Sequence, residues 1–539
     1  MPGGESEPRP NPQRAILDSI RRTWQDVSVP AGLPRGTLYR YPGPTGQDSR
    51  QSHSFPLYPI AGCAIIGKML PPAPRRRFWE SVRCRIAESR VWKSIFRYGY
   101  PSTDKNRMLV ILHTFFLHFH SVRVKNHTLK PTYTFGLGLI SFFLVVILFL
   151  TGGLLMFFYL PSVERAYSDI INLHTTVRFG SLLRNAHRWG AHLMVLAVIL
   201  HMCRVFYTGS YKRPREFNWV IGVLLLVLTL LLSFTGYLLP WDQLSFWAIT
   251  VASEMAAYAP FIGEQVKLFL LGAREVGQDS LLRFYAFHLF LLPLLFVPLL
   301  GLHFWRIRKD KGLSSPDEKK GAQDRADTRF TWPHLLVVEV LVFLGVTLFL
   351  LFLSWGVDAP LRDIANPDLP ENPSKAPWFF LNLQELLMHM NPALAGVLIP
   401  IFVILLLVAM PYVDRRLGDV GVWFAGRRGK KIALWSALYT APLLVGLVLF
   451  DAFVGVKSLV SQPEIVPGWL IPLGVIGGLS LGLYFLLRPL RPNVREVLIA
   501  YFTAFIITFF VLTIIGLFFR GEGMALVLPW RLPPGGLSF

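Results

Sequence analysis

Apolar runs of about twenty residues recur along the 539-residue chain, each closed by a polar or basic cluster. That length is what a helix needs to cross a hydrocarbon core of ~30 Å. The pattern predicts nine spans, near 133–160, 186–208, 218–240, 283–305, 333–355, 392–411, 433–451, 467–487 and 498–519. Ahead of them, residues 1–56 are rich in Pro, Gly, Ser and Arg and read as disordered, because such a composition buries too little apolar surface to fold. Residues 57–70 form a short interfacial or locally packed run, and 75–130 interleave basic and aromatic residues like an amphipathic segment on a membrane surface. His113, His118 and His120 lie there and read as polar-edge residues. The charged stretch 306–332 separates four spans from five. An all-α integral membrane protein is therefore expected: a basic, partly disordered extension with its amphipathic segment (1–130), a four-helix bundle (131–310), a charged linker (311–332), a second module of about five helices (333–520) and a tail (521–539).

Composition agrees. The chain is 53% hydrophobic and 16% charged, with a mean hydropathy of +0.45, too apolar for an ordinary soluble protein. The net charge of +21 sits in loops that alternate across the predicted spans. Lys212, Arg213 and Arg215 fall on the same side as Arg306, Arg308 and Lys309, then Arg415, Arg416, Arg427, Arg428, Lys430 and Lys431, then Arg488, Arg491 and Arg495. By the positive-inside rule this side, and the N-terminus with it, is cytoplasmic. The charge points to anionic lipid rather than nucleic acid. Cys63, Cys84 and Cys203 include no CxxCH attachment site for c-type haem and imply no disulfide framework. No signal peptide is read at the N-terminus.

The second predicted span, "NAHRWGAHLMVLAVILHMCRVF", carries His187 and His201, and the fourth, "RFYAFHLFLLPLLFVPLLGLHFWRIRK", carries His288 and His303. Imidazoles inside hydrocarbon are costly unless partnered. Fourteen or fifteen residues of helix rise roughly 21–23 Å and return to nearly one face. Both spans run inward, so His187 levels with His288 toward the outside and His201 with His303 toward the inside. Two facing pairs at two depths suit two stacked b haems, each iron taking one histidine from each helix. Zinc fits poorly, since each pair gives only two ligands. His192, five residues after His187, reads as structural. Gly138 and Gly152 in the first span, and Gly222 and Gly236 in the third, repeat the fourteen-residue interval. They let backbone approach a haem face or serve ordinary small-residue packing. Arg184 and Arg188 outside, and Arg204 and Arg215 inside, suit haem propionates or act as positive-inside anchors.

With "LLRNAHRWGAHLMVLAVILHMCRVFYTGSYKRPREFNW", "SFTGYLLPWDQLSFWAIT" and "RFYAFHLFLLPLLFVPLLGLHFWRIRK", the chain resembles the cytochrome b (b/b6) family of bc-type quinol oxidoreductases over about 131–310. The unequal histidine spacing is similar to the chloroplast-type branch. Residues 331–520 more weakly resemble that branch's separate C-terminal subunit, fused here and longer by at least one span. The resemblance implies a respiratory Q cycle in the bacterial inner membrane. Quinol is oxidised at an outer site, and electrons pass to a Rieske-type iron–sulfur protein and a c-type cytochrome, and through two b haems to quinone at an inner site. A homodimeric complex is implied with it. The outer pocket falls on Tyr237, Pro240, Trp241 and Asp242 and on the loop after the fifth span. There "KAPWFFLNLQELL" replaces the family's Pro-Glu-Trp-Tyr, keeping Trp378 and losing Glu and Tyr. A base is still required. Glu385, read equally as a packing carboxylate, and Asp242 are the candidates, and the low dielectric is expected to raise their pKa. The attachment cysteine of the branch's extra c-type haem would align with Gly136, so no covalent haem is expected. Arg308, Lys309 and Asp310 either stabilise a reduced quinone or form a solvated loop. The competing readings are a dihaem membrane anchor of a dehydrogenase or hydrogenase without a Q cycle, and a haem-free transporter.

Overall fold

The computed structural model describes residues 103–114, 117–316, 327–456, 460 and 463–531, with scattered residues between 78 and 95. The expectations for 1–56 and 57–70 lie outside the described residues. Helix α1 is Asp104–His113, with the Thr103 hydroxyl accepting from Asn106 N as its N-cap. The membrane-length helices and their satellites follow: α2 Leu137–Phe158, α3 Ala166–Thr175, α4 Gly180–Tyr207, α5 Glu216–Tyr237, α6 Gln243–Ala257, α7 Gly263–Leu271 and α8 Gln278–Lys309. Then come α9 Thr331–Gly356, α10 Leu381–His389, α11 Ala393–Val413, α12 Arg427–Val454, α13 Val466–Leu490 and α14 Val494–Phe518. Among the described residues nine helices are long and apolar enough to cross a membrane, each overlapping one predicted span.

Their outward faces carry large apolar side chains, among them Phe352, Trp355, Phe402, Leu405 and Phe485, each more than half exposed. A soluble protein does not leave that much contiguous apolar surface wet; in hydrocarbon it costs nothing. The interior is also apolar. Leu144 of α2, Met194 of α4, Ile221 and Leu225 of α5, Phe296 of α8 and Leu350 of α9 form one buried cluster. Thus α2, α4, α5 and α8 make the expected four-helix bundle, and α9 lies against α2 and α4.

At the end of α4 nearer Tyr207, a buried charged network ties in the later helices. Lys212 Nζ is 2.6 Å from Asp419 Oδ1 and 3.2 Å from Asp414 Oδ2. The Arg495 guanidinium reaches Asp419 Oδ2 (3.1 Å) and donates to Phe206 O (2.6 Å), and Tyr211 donates to Asp414 (2.6 Å). Two cations meet two carboxylates, which is the condition for burying charge at tolerable cost. The N-terminus of α14 is fixed beside them by a capping box, Asn493 to Glu496 N and Glu496 back to Asn493 N.

The amphipathic segment and the charged linker meet in a short two-stranded ribbon. Strand β1 (Arg123–Lys125) pairs antiparallel with β2 (Thr328–Phe330), Val124 opposite Arg329. The backbone groups of two polar stretches satisfy each other, with the Arg123 guanidinium 4.2 Å over the Phe330 ring.

Candidate functional site

The imidazoles of His187 on α4 and His288 on α8 face each other with ring centroids 6.2 Å apart and planes 85° to one another. Two metal–nitrogen bonds of about 2 Å plus two half-rings add to roughly 6 Å, so one iron fits between them. Their other nitrogens are already engaged. His288 Nδ1 lies 3.1 Å from Leu232 O and 3.2 Å from Thr235 Oγ1. His187 Nδ1 lies 2.9 Å from Thr151 Oγ1, whose own hydroxyl donates to Ile147 O at 2.8 Å. Nδ1–H donation to these acceptors leaves Nε2 as the ligating atom, the usual outer-shell device that fixes ring orientation.

The fifteen-residue interval on α8 also has a structural account. His288 sits in a π-helical stretch, Phe287–Leu291. A π turn absorbs an extra residue, which brings the 288–303 interval into step with the fourteen residues between His187 and His201.

The four glycines each seat one histidine, which refines the expectation that they make room for a haem face. A Cβ added at Gly236 would lie 2.6 Å from His288 Cε1, at Gly152 3.0 Å from His187 Cε1, at Gly138 3.2 Å from His201 Cε1 and at Gly222 3.8 Å from His303 Cε1. α2 therefore backs both histidines of α4, and α5 backs both of α8.

The four arginines divide. Arg184 is spent on the loop after α9, donating to Ala359 O (2.7 Å) and Pro360 O (2.8 Å) and lying 3.0 Å from His174 Nε2. Arg215 likewise reaches the carbonyls of Asp310 and Gly312. The N–H groups of these two hold loops. Arg188 stacks 4.4 Å over the Tyr237 ring and Arg204 4.5 Å over Tyr133; Nε of the first and Nη2 of the second are buried with no hydrogen-bond partner among the described residues. A buried N–H without an acceptor is rare, and an acid group beside each histidine level would satisfy it.

The carboxylates differ from expectation. Asp242 is the N-cap of α6, its Oδ1 accepting from Ser245 N (2.9 Å) and Ser245 Oγ (2.6 Å) and its Oδ2 from Arg362 N (3.0 Å). Glu385 is fully buried, takes a forked contact from Arg520 and lies 3.4 Å from His389 Nε2. Burial pushes its carboxyl up, but His389 and Arg520 outweigh this and hold it below the usual range. The expected raised pKa of Glu385 is thus corrected: an ion pair, absent from the local sequence, reverses the sign. Glu371, seven residues before Trp378, does titrate high. Burial pushes it up against the pull of Arg362, 3.9 Å away, and Asp242 and Asp363 add to the rise.

Trp378 opens a short 3-10 turn, Trp378–Phe380, and its indole N–H donates to His192 Nδ1 at 2.8 Å. The His192 ring is 6.2 Å from Phe379, and Phe380 meets Phe234 of α5 at 5.7 Å. His192 thus ties α4 to the loop that carries Trp378, a role its sequence position does not betray. Glu371 and the pair His120–Glu339 also escape the motif pattern; for Glu339, a lone carboxylate in an apolar span is itself a signal.

This architecture defines an all-α integral membrane protein in which a four-helix bundle presents paired histidines at two depths. The profile of the cytochrome b/b6/petB family matches residues 122–311. The cytochrome b6 of Heliobacterium modesticaldum is 45% identical over 194 residues, 36% of this chain and 89% of that protein. The cytochrome b6 of Prochlorococcus marinus strain NATL1A is 45% identical over 180 residues, 33% of this chain and 82% of that protein. A solved chain from a hyperthermophilic respiratory Complex III superposes with a TM-score of 0.53 at 22% identity, covering 71% of this chain and 91% of that one, so the fold extends well beyond the profile match. The chain belongs to the cytochrome b/b6 family, and with it to electron-transport proteins that carry b-type haem.

Proposed function

We propose that the chain is the dihaem cytochrome b subunit of a bc-type quinol:electron-acceptor oxidoreductase in a bacterial inner membrane, with its N-terminus cytoplasmic. Residues 131–310 form the dihaem domain and 333–520 the fused subunit IV-like module. The observation that carries the reading is the 6.2 Å separation of His187 and His288, with both Nδ1 atoms engaged and a glycine behind each ring. His201 and His303 hold the second, inner level. Bound b haem supplies one-electron redox chemistry at each level.

The residues around these levels divide the remaining work. Arg188 and Arg204 hold propionates. Tyr237, Trp378 and His192 shape the outer quinol pocket, and Glu371, with its raised pKa, accepts a proton there. Glu385 stays ionised and braces the loop. One electron leaves to a Rieske-type iron–sulfur protein and onward to a c-type cytochrome. The other crosses from the His187/His288 level to the His201/His303 level and reduces quinone inside. Moving that charge against an inside-negative membrane costs about 2.3 kcal/mol per 100 mV for a full crossing. No covalent c-type haem takes part, and the complex is a homodimer in lipid.

Bifurcation separates this from a dihaem anchor of a dehydrogenase or hydrogenase. In the isolated complex with quinol present and the inner site inhibited, a pulse of oxidant at the iron–sulfur partner should reduce b haem. An anchor shows no such oxidant-induced reduction, and a transporter shows no haem absorbance.

A further inference from the structure

Tyr237 and Trp378, the two aromatics of the proposed outer pocket, come from opposite halves of the chain and meet one face of α4. Tyr237 ends α5 and lies 4.4 Å from the Arg188 guanidinium. Trp378 belongs to the loop after α9, and its indole N–H donates to His192 Nδ1 at 2.8 Å. Arg188 and His192 are four residues apart, so they are neighbours on one helix face. A second contact joins the same elements: Phe380 meets Phe234 at 5.7 Å, and Phe234 precedes Tyr237 by about one turn of α5. Tyr237, Trp378, Arg188 and His192 therefore frame one corner, where α4, α5 and the loop join.

His187, the outer histidine of α4, is five residues before His192. That offset is about 7.5 Å of rise and a rotation of roughly 140°. α4 thus carries the ring paired with His288 on one side and the anchor of the loop on another. The loop is also braced by the end of α14. Lys375 Nζ donates to Leu517 O at 3.0 Å, and the Arg520 guanidinium donates to Glu385 Oε2 at 3.1 Å. These contacts hold the segment on both flanks of Trp378 and leave the indole to other partners.

The indole packs in an apolar cluster with Val195, Ile199, Phe379 and Phe509. An N–H inside such a cluster needs an acceptor, and His192 Nδ1 supplies it. Apolar packing is indifferent to the direction of a flat ring, whereas a hydrogen bond is directional. The bond to His192 therefore sets which edge of the indole faces α4. Trp378 stays partly exposed, so ring surface is left over for a ligand. Accepting at Nδ1 also requires a neutral imidazole with its proton on Nε2.

We propose that His192 is a positioning residue for quinol at the outer site: its Nδ1 holds the Trp378 indole at the seam between α4 and the loop, and the quinol ring packs against the exposed part of that indole. The inference rests on the outer quinol reading above. His192 acts only through Trp378. Ring-against-ring packing is the same in the bound quinol and in the transition state, because no charge develops on the indole. Its loss weakens binding without slowing the bound reaction, which raises KM and spares kcat.

The test uses the assembled complex with electron acceptor in excess and follows oxidation of two probes, decyl-benzoquinol and menadiol. His192→Leu, at wild-type haem content, should raise KM roughly tenfold, the effect of leaving an indole donor unpaired, with kcat held. His192→Asn puts an amide oxygen near the Nδ1 position and should restore the wild-type KM. His192→Gln, whose amide reaches the Nε2 position instead, should not. In a Trp378→Phe background, which has no indole N–H, His192→Leu should change nothing further. Wild-type KM in His192→Leu, equal KM in His192→Asn and His192→Gln, or additive effects in the double variant overturns the positioning role. So does a fall in kcat and haem content with KM untouched, the mark of a purely structural contact. If His192→Leu does not assemble, the comparison of His192→Asn with His192→Gln decides. A wild-type complex that oxidises neither quinol overturns the outer-site reading, and this inference with it.

Discussion

Replacing Gly236 by Ala tests the histidine seats most sharply. The new methyl would stand 2.6 Å from His288 Cε1 and 3.1 Å from both ring nitrogens. Optimal carbon contacts lie near 3.5–4 Å, so the ring must retreat by about 1 Å, away from Leu232 O and Thr235. Overpacking of this kind costs about 1–3 kcal/mol, and the better helix propensity of Ala returns only about 1 kcal/mol. The matched control is Gly222→Ala, where the methyl meets His303 Cε1 at 3.8 Å, an ordinary contact. The assay is haem per polypeptide, with a redox titration of both b components. Gly236→Ala should lose or shift the outer component, and Gly222→Ala should leave the inner one unchanged. Gly152→Ala and Gly138→Ala should fall between, in that order. An intact outer haem in Gly236→Ala beside a lost inner haem in Gly222→Ala would refute the reasoning.

Arg188→Gln should weaken only the outer haem and Arg204→Gln only the inner one, read from the two components of the same titration. Arg520→Ala strands the Glu385 charge and should cost about 3–5 kcal/mol of stability, seen as a lower thermal midpoint in detergent, whereas Glu385→Gln should leave quinol oxidation per haem unchanged. The Glu385–His389 pair also sets a pH window. The depressed carboxyl contributes stability above its ordinary 4.5 and loses it as pH falls through the lower folded value. The raised His389 contributes below its ordinary 6.5 and loses it as pH rises through the higher folded value. Thermal midpoints should therefore decline on the alkaline side, and His389→Gln should flatten that limb.

What the chain discloses on its own follows from helix geometry. A rise and rotation fixed per residue carry His187, His201, His288 and His303 to two levels without any tertiary knowledge, and hydropathy marks the spans because lipid imposes one strict requirement. Partners distant in sequence are another matter. Arg184 and Arg188 look alike in "LLRNAHRWG", yet only the fold brings Ala359 and Pro360 to the first and leaves Nε of the second without a partner among the described residues. Glu385 reads equally as a base or a packing carboxylate until Arg520, 135 residues away, closes on it. The pairing of β1 with β2 and of His120 with Glu339 likewise joins stretches that show no mutual signal in local pattern.

The central claim is that each histidine pair grips one b-type haem. The direct measurement is haem stoichiometry and redox titration of purified protein carrying His288→Leu or His303→Leu. The account predicts two acid-acetone-extractable b haems per chain in the wild type, with the outer component alone lost in the first variant and the inner alone in the second. A wild type without haem, or variants that keep both components, would contradict it.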